Sequence, residues 1–244
     1  MSDQHGRVAL VTGGSRGIGA ATARRLAADG ADVAITYERD EVAAKEVVRQ
    51  IEAAGSRAVA IRADGTDPVA VRDAVRRTVT ELGGLDILVN NAGVFRAAPI
   101  EELSLEDIDR MLALHVRAPI VAIQEALSVL PRGGRIISIG SNSAHRAVST
   151  GMSVYAASKA ALDGLTRWLA RELGEREITV TAVHPGPTDT DMNPATGAHA
   201  DQQRSNAALG RYSAAEDIAD AVSYLAGARN VTGTALTVDG GVNA

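Results

Sequence analysis

The chain has 244 residues, 45% hydrophobic but only 2% aromatic, with a net charge of −5; that suits one α/β domain with an aliphatic core and argues against a nucleic-acid partner. The absence of Cys excludes disulfides and thiolate chemistry, and the five scattered His, with no HxxxH spacing, form no metal motif. Residues 1–7 carry no apolar signal region and no apolar run reaches the ~18 residues of a membrane span, so the expectation is a cytoplasmic protein without membrane contacts.

Val8-Ala9-Leu10-Val11 reads as a strand buried on both faces. Thr12-Gly13-Gly14-Ser15-Arg16-Gly17-Ile18-Gly19 follows, and a helical pattern over 20–29 ends at Gly30. Strand, Gly-rich turn and helix in that order let the backbone approach a pyrophosphate held at the helix N-terminus. Strands are then expected over 32–36, 57–62, 85–89, 135–139, 178–183 and 235–238, with helices over 41–54 and 68–82. Asn90-Asn91-Ala92-Gly93 follows the fourth strand. Ser104-x-x-Asp107 resembles a capping box opening a long helix toward Leu130. The alternation implies right-handed crossovers and a parallel sheet in one domain. Residues 187–211 lack a core pattern and read as a substrate lid or an irregular excursion.

Tyr155-Ala156-Ala157-Ser158-Lys159 lies in an Ala-rich helical segment, so Tyr155 and Lys159 share one face, a turn apart. The chain uses Arg freely but only two Lys, Lys45 and Lys159, which suggests that a compact ammonium is needed here. A nearby cation favours a phenolate, and a phenol so tuned can exchange a proton with a carbonyl or alcohol oxygen.

Thr12-Gly13-x-x-x-Gly17-x-Gly19, Asn90-Asn91-Ala92-Gly93, Tyr155-x-x-x-Lys159, Pro185-Gly186 and Asp239-Gly240-Gly241 together resemble the short-chain dehydrogenase/reductase family over nearly the whole chain. Within the family the chain looks most like the oxoacyl-carrier-protein reductase and carbonyl reductase branch. The resemblance implies an α/β fold, a single-domain Rossmann-type doubly wound parallel sheet with helices on both faces, seven-stranded here. It implies a nicotinamide cofactor and hydride transfer to or from a small-molecule ketone or secondary alcohol.

Tyr155 would be the acid/base, Lys159 would hold the nicotinamide ribose, and Ser141, with Ser143 close by, would bond the substrate oxygen. His145 would line the pocket mouth or sit in a solvated loop. Gly13, Ser15, Arg16, Gly17, Ile18 and Gly19 would cradle the phosphates. Asn91, Ala92 and Gly93 would lie along the cofactor, with Asn90 bracing the central strands. Asp64 and Gly65 would meet the adenine, although Asp64 also reads as a turn residue. Pro185, Gly186, Thr188 and Thr190 would flank the carboxamide.

Two positions depart from the family pattern: Thr181 replaces an Asn of structural type, and His115 replaces the catalytic Asn of the long helix. In the family the carbonyl of that Asn holds a proton-relay water. Pro119 has no N–H to give the carbonyl four residues back, so the relay is expected to survive, with the imidazole as a further proton carrier. At the end of the second strand stands Tyr37 rather than an acid, and Arg16 and Arg39 can meet a 2′-phosphate, so NADPH is expected over NADH unless Glu38 turns inward. Apolar residues around much of the Tyr155 helix, Trp168 among them, suggest the homotetramer common in the family. An extended-branch epimerase or dehydratase and a catalytically weak nucleotide binder remain alternatives.

Overall fold

A computed structural model describes residues 3–244. Its centre is a seven-stranded parallel sheet in the order β3-β2-β1-β4-β5-β6-β7. The strands are β1 (Val8–Val11), β2 (Asp32–Tyr37), β3 (Ala58–Arg62), β4 (Ile87–Asn90), β5 (Arg135–Ile139), β6 (Thr179–Pro185) and β7 (Thr234–Val238). The chain order reverses between β1 and β4, which pair through Ala9–Ile87 and Val11–Val89. A crevice opens beyond the carboxyl ends of the strands at such a reversal, and the turns after β1, β4 and β5 all lead into it.

Central strands carry unbroken apolar runs because both faces are covered. Ala9 and Val11 point into one core, shared with α1 (Gly17–Ala28), α2 (Glu41–Ala53) and α8 (Ala215–Gly227) through Leu26, Ile51, Ile218 and Val222. Val8 and Leu10 point into the other, shared with α3 (Pro68–Leu82), α5 (Ala118–Ala126) and α6 (Ser153–Leu173) through Val75, Ile123 and Leu173.

The expected fold is confirmed, with local differences. The helix read as continuous from Ser104 toward Leu130 is α4 (Leu105–Leu112), a π turn over Ala113–Arg117, then α5. Its start is as expected: the Ser104 hydroxyl accepts from the Asp107 amide at 3.0 Å. The sequence reading passed over α8, which packs along α1. Helix α8 opens at Ala214, with no side-chain oxygen to cap it, so the usual N-terminal signal is missing. The expected lid region holds one short helix, α7 (Ala200–Asn206). The Asn193 and Tyr212 side chains both donate to the Gln203 side-chain Oε1, at 2.9 Å each, tying this region's ends together.

Candidate active site

Helix α1 begins with free donors. Arg16 is its N-cap, makes no side-chain cap bond, and no acid stands in the first turn. An uncapped N-terminus concentrates unpaired N–H groups and the positive end of the helix dipole, which suits a pyrophosphate. The turn before it is tight. A Cβ on Gly13, whose φ is +65°, would come within 2.9 Å of the Ala92 Cα, and one on Gly19 would run into the Gly13 carbonyl. The Asn91 amide donates to the carbonyls of Thr12 (2.8 Å) and Gly13 (3.1 Å), so its side chain braces the turn. Ser15 is half-buried, and Ile18 packs on the first core and anchors α1. Thr190 crosses over the turn, its methyl 3.2 Å from where a Gly17 Cβ would stand. Gly186 lies flat against Asp239, 2.6 Å from its Cα were a Cβ added, which joins the Pro185-Gly186 and Asp239-Gly240-Gly241 motifs. The Thr188 hydroxyl donates to the Gly186 carbonyl at 3.0 Å.

At the end of β2, Tyr37 is buried in the first core, so its ring braces the sheet and recognition of charge falls to its neighbours. The Glu38 carboxylate accepts from Arg39 at 3.2 Å and from Arg110 of α4 at 3.3 Å. It is therefore turned toward two cations rather than presented bare. Asp64 turns out as its turn reading had it: Oδ1 accepts from the Thr66 amide and hydroxyl, at 2.8 Å each. The amide bond first, then the hydroxyl, hold its carboxyl below the usual range. Gly65 next to it abuts Leu114.

Tyr155 lies between two rings, edge-on to Phe95 at 5.0 Å and to His115 at 5.6 Å. Burial among them raises its phenol above the ordinary value, and the Ser141 hydroxyl pulls the other way. Ser141 Oγ lies 2.5 Å from Ser143 Oγ, and the Ser143 amide donates to it at 3.2 Å. The Lys159 ammonium is buried and donates to the Ile139 carbonyl at 2.8 Å; burial lowers its pKa to about 8. This corrects the sequence expectation that the lysine draws the phenol down. Burial is the largest influence on the phenol and Lys159 is not among the groups that shift it, so the phenol is neutral at pH 7.

His115 is buried where the family has Asn. Its Nε2 accepts from the Val94 amide at 3.1 Å, so the proton sits on Nδ1 and is donated to Ser158 Oγ at 2.8 Å. Ser158 in turn donates to the Tyr155 carbonyl at 2.7 Å. Burial first, then the charge of Lys159, push the imidazole down to about 3. A ring engaged at both nitrogens and neutral at pH 7 does not carry protons, which corrects the expected second role of His115. The turn just before Pro119 is a π turn, in which the Ala118 amide bonds the Ala113 carbonyl. Such turns recur at functional sites.

A family model described as enoyl-(acyl carrier protein) reductase matches residues 13–243. The chain belongs to the short-chain dehydrogenase/reductase family. It is 61% identical, with a TM-score of 0.97, to a short chain dehydrogenase from Burkholderia cenocepacia solved with NADP; 98% of this chain and 99% of that one are covered. A blue fluorescent protein from a metagenomic library, solved with NADPH, is 53% identical with a TM-score of 0.97, covering 99% and 100%. The cyclic-di-GMP-binding biofilm dispersal mediator protein of Escherichia coli is 44% identical over 98% of both chains.

The structure brings the family's Ser, Tyr and Lys to one crevice and lays the Gly-rich turn beside them. Sequence reading missed Arg110, which reaches Glu38 across 72 residues with no local signal. It also missed His184 and Asp163, although His184 directly precedes the matched Pro185-Gly186.

The buried His115 has a sign-determined consequence. Its folded pKa lies below the unfolded value near 6.5, so between about pH 3 and 6.5 the unfolded chain binds more protons and is favoured as pH falls. Its contribution is fully present above pH ~6.5 and is lost toward pH 3, by up to about 1.4 kcal/mol per unit. His115→Asn is expected to flatten the acid limb of Tm against pH over this range, while kcat stays within about tenfold. Superimposable acid limbs for the two proteins would contradict this placement.

Proposed function

We propose that this chain reduces ketones with NADPH, or oxidises the corresponding secondary alcohols. The observation that carries the reading is Tyr155, edge-on to Phe95 and His115 and one helical turn from the buried Lys159, whose ammonium lies against Gly93 next to the Gly-rich turn. The residues present fit a nicotinamide dinucleotide: the α1 N-terminus has unpaired donors for the pyrophosphate, and Gly13 and Gly19 leave room that a Cβ would fill. Arg39 and Arg110, which share Glu38, would meet a 2′-phosphate, and Arg16 of the Gly-rich turn, now facing Asp191 at 3.9 Å, would be a third cation for it. Ala92, Gly93 and Thr190 would flank the nicotinamide half. When bound, the cofactor supplies the hydride.

The chain's own residues handle the oxygen. The Ser141 hydroxyl donates to the substrate carbonyl and holds it toward Tyr155. The Tyr155 phenol passes its proton to that oxygen as negative charge develops. Lys159 would hold the cofactor ribose and keeps a positive charge by the phenolate left behind. Pro119 offers no N–H to the His115 carbonyl, and that oxygen is left to hold the water that returns a proton. Residues 187–211 close over the substrate as a lid. Tyr155→Phe is expected to lower kcat by ~10²–10⁴ on a panel of ketones while calorimetry shows NADPH binding nearly unchanged. Retained turnover would overturn the assignment. Cyclic-di-GMP belongs in the same titration as a competitor, given the relative named for it.

The carboxylate arrangement favours NADPH. Comparison of kcat/KM for the two cofactors is expected to favour NADPH, and Arg39→Ala to erode the preference by weakening the grip on the phosphate. Equal values in the wild type would mean that Glu38 accepts the ribose hydroxyl.

The proposed assembly is a homotetramer through the long helices. Trp168 is 72% exposed on α6 and therefore not core, and Leu112 and Ile120 are partly exposed on the neighbouring helices. A stable monomer by light scattering at micromolar concentration would refute it, and Trp168→Glu is expected to shift the particle toward smaller species.

A further inference from the structure

Behind Ser141 lies a chain of polar groups, buried at its His184 end and exposed at its His145 end, that the reduction itself does not use. The Ser141 backbone amide donates to His184 Nδ1 at 3.0 Å. His184 Nε2 is 2.8 Å from Asp163 Oδ1, and the exposed His145 places its Nε2 3.1 Å from Asp163 Oδ2. The His145 and His184 rings meet edge to face at 4.8 Å. The His184 side chain is fully buried and comes from β6; Asp163 comes from α6, one turn beyond Lys159.

Two histidines and a carboxylate this close could be taken for a metal centre, and the tautomer argues against it. Nδ1 of His184 accepts an amide proton, so the ring proton must reside on Nε2, where it is donated to Asp163. A metal-bound histidine shows the opposite pattern, donating its second N–H while the ligating nitrogen is bare. Ligation through Nε2 would require an imidazolate. The cluster is built to fix a tautomer.

What that tautomer holds is the end of β5. The sheet ladder makes its last bond there from the Gly140 amide to the Val183 carbonyl at 2.8 Å, and Pro185, with no N–H, has nothing to donate further on. The His184 imidazole takes up the next donor, the Ser141 amide. A side chain on Gly140 would collide with that imidazole. From the other direction Lys159 holds the Ile139 carbonyl. The three residues leading to the serine hydroxyl are thus gripped by side chains from β6 and α6.

We propose that His184 and Asp163 are positioning residues for Ser141, with Asp163 fixing the His184 tautomer and His184 fixing the serine backbone. Through its other oxygen Asp163 also tethers His145, at the head of the segment joining β5 to α6. The proposal rests on the reductase reading for its catalytic consequence, but the tautomer is measurable without it.

Nitrogen-15 chemical shifts of the histidines in the NADPH-loaded protein at pH 7 are expected to show His184 neutral with its proton on Nε2. A proton on Nδ1, or an imidazolium, overturns the relay whether or not the protein reduces anything. In kinetics, His184→Leu is expected to lower kcat about 10²-fold, as small misplacements of a catalytic group do, with the NADPH dissociation constant unchanged. His184→Asn keeps an acceptor near the Nδ1 position and is expected to recover most of that loss. The deciding comparison is made in a Ser141→Ala background, where His184→Leu should cost almost nothing further. Additive losses there, or equal losses for the Leu and Asn variants, would show that His184 merely fills space and would overturn the proposal. If the wild type reduces no ketone of the panel, the reductase reading fails, and the nitrogen shifts alone decide whether the relay exists.

Discussion

The buried ammonium of Lys159 is the constraint around which the site is arranged. A charge removed from water is costly unless it is bonded or partly neutralised. Here it is bonded to the Ile139 carbonyl, and its pKa falls to about 8. Holding that carbonyl ties the Tyr155 helix to the end of β5, which carries Ser141. The same charge keeps neighbouring groups neutral: His115 is pushed down by burial and by Lys159 together. With His115 neutral, its hydrogen bonds run one way, from the Val94 amide into Nε2 and from Nδ1 to Ser158 and the Tyr155 carbonyl. His115 thus joins the turn after β4 to the helix carrying Tyr155 by a different chemistry from an amide side chain.

Dryness gives the site its direction. Tyr155 packed between Phe95 and His115 loses water and with it the stability of its phenolate. A phenol held neutral is suited to giving a proton to a forming alkoxide. At the end of β2 the charges lie in water and are arranged as salt bridges. Glu38, which facing inward would repel a phosphate, is shared by Arg39 and Arg110. One end of the crevice works by excluding solvent and the other by charges solvent can screen.

Local signals located most of the fold. Helix α3 matched at both ends, because Asp67 caps it, Pro68 opens it and Gly83 closes it in the left-handed conformation. Central strands were legible as apolar runs since both their faces are covered. Helix α8 escaped because its cap position is Ala214, and the continuous helix from Ser104 broke because a π turn has no pattern distinct from the α-helices on either side.

The sequence by itself determined the alternating α/β order, the Gly-rich turn, and the Tyr155 and Lys159 pair, because each depends on contacts within a few residues or on spacing along one element. Tertiary structure decided the protonation states and the partners. That Tyr155 is raised rather than lowered, that His115 is neutral, that Glu38 faces Arg110 and that His184 grips the Ser141 amide all depend on burial and on groups distant in the chain. Desolvation is a property of everything packed around an atom, and no local stretch of sequence specifies it.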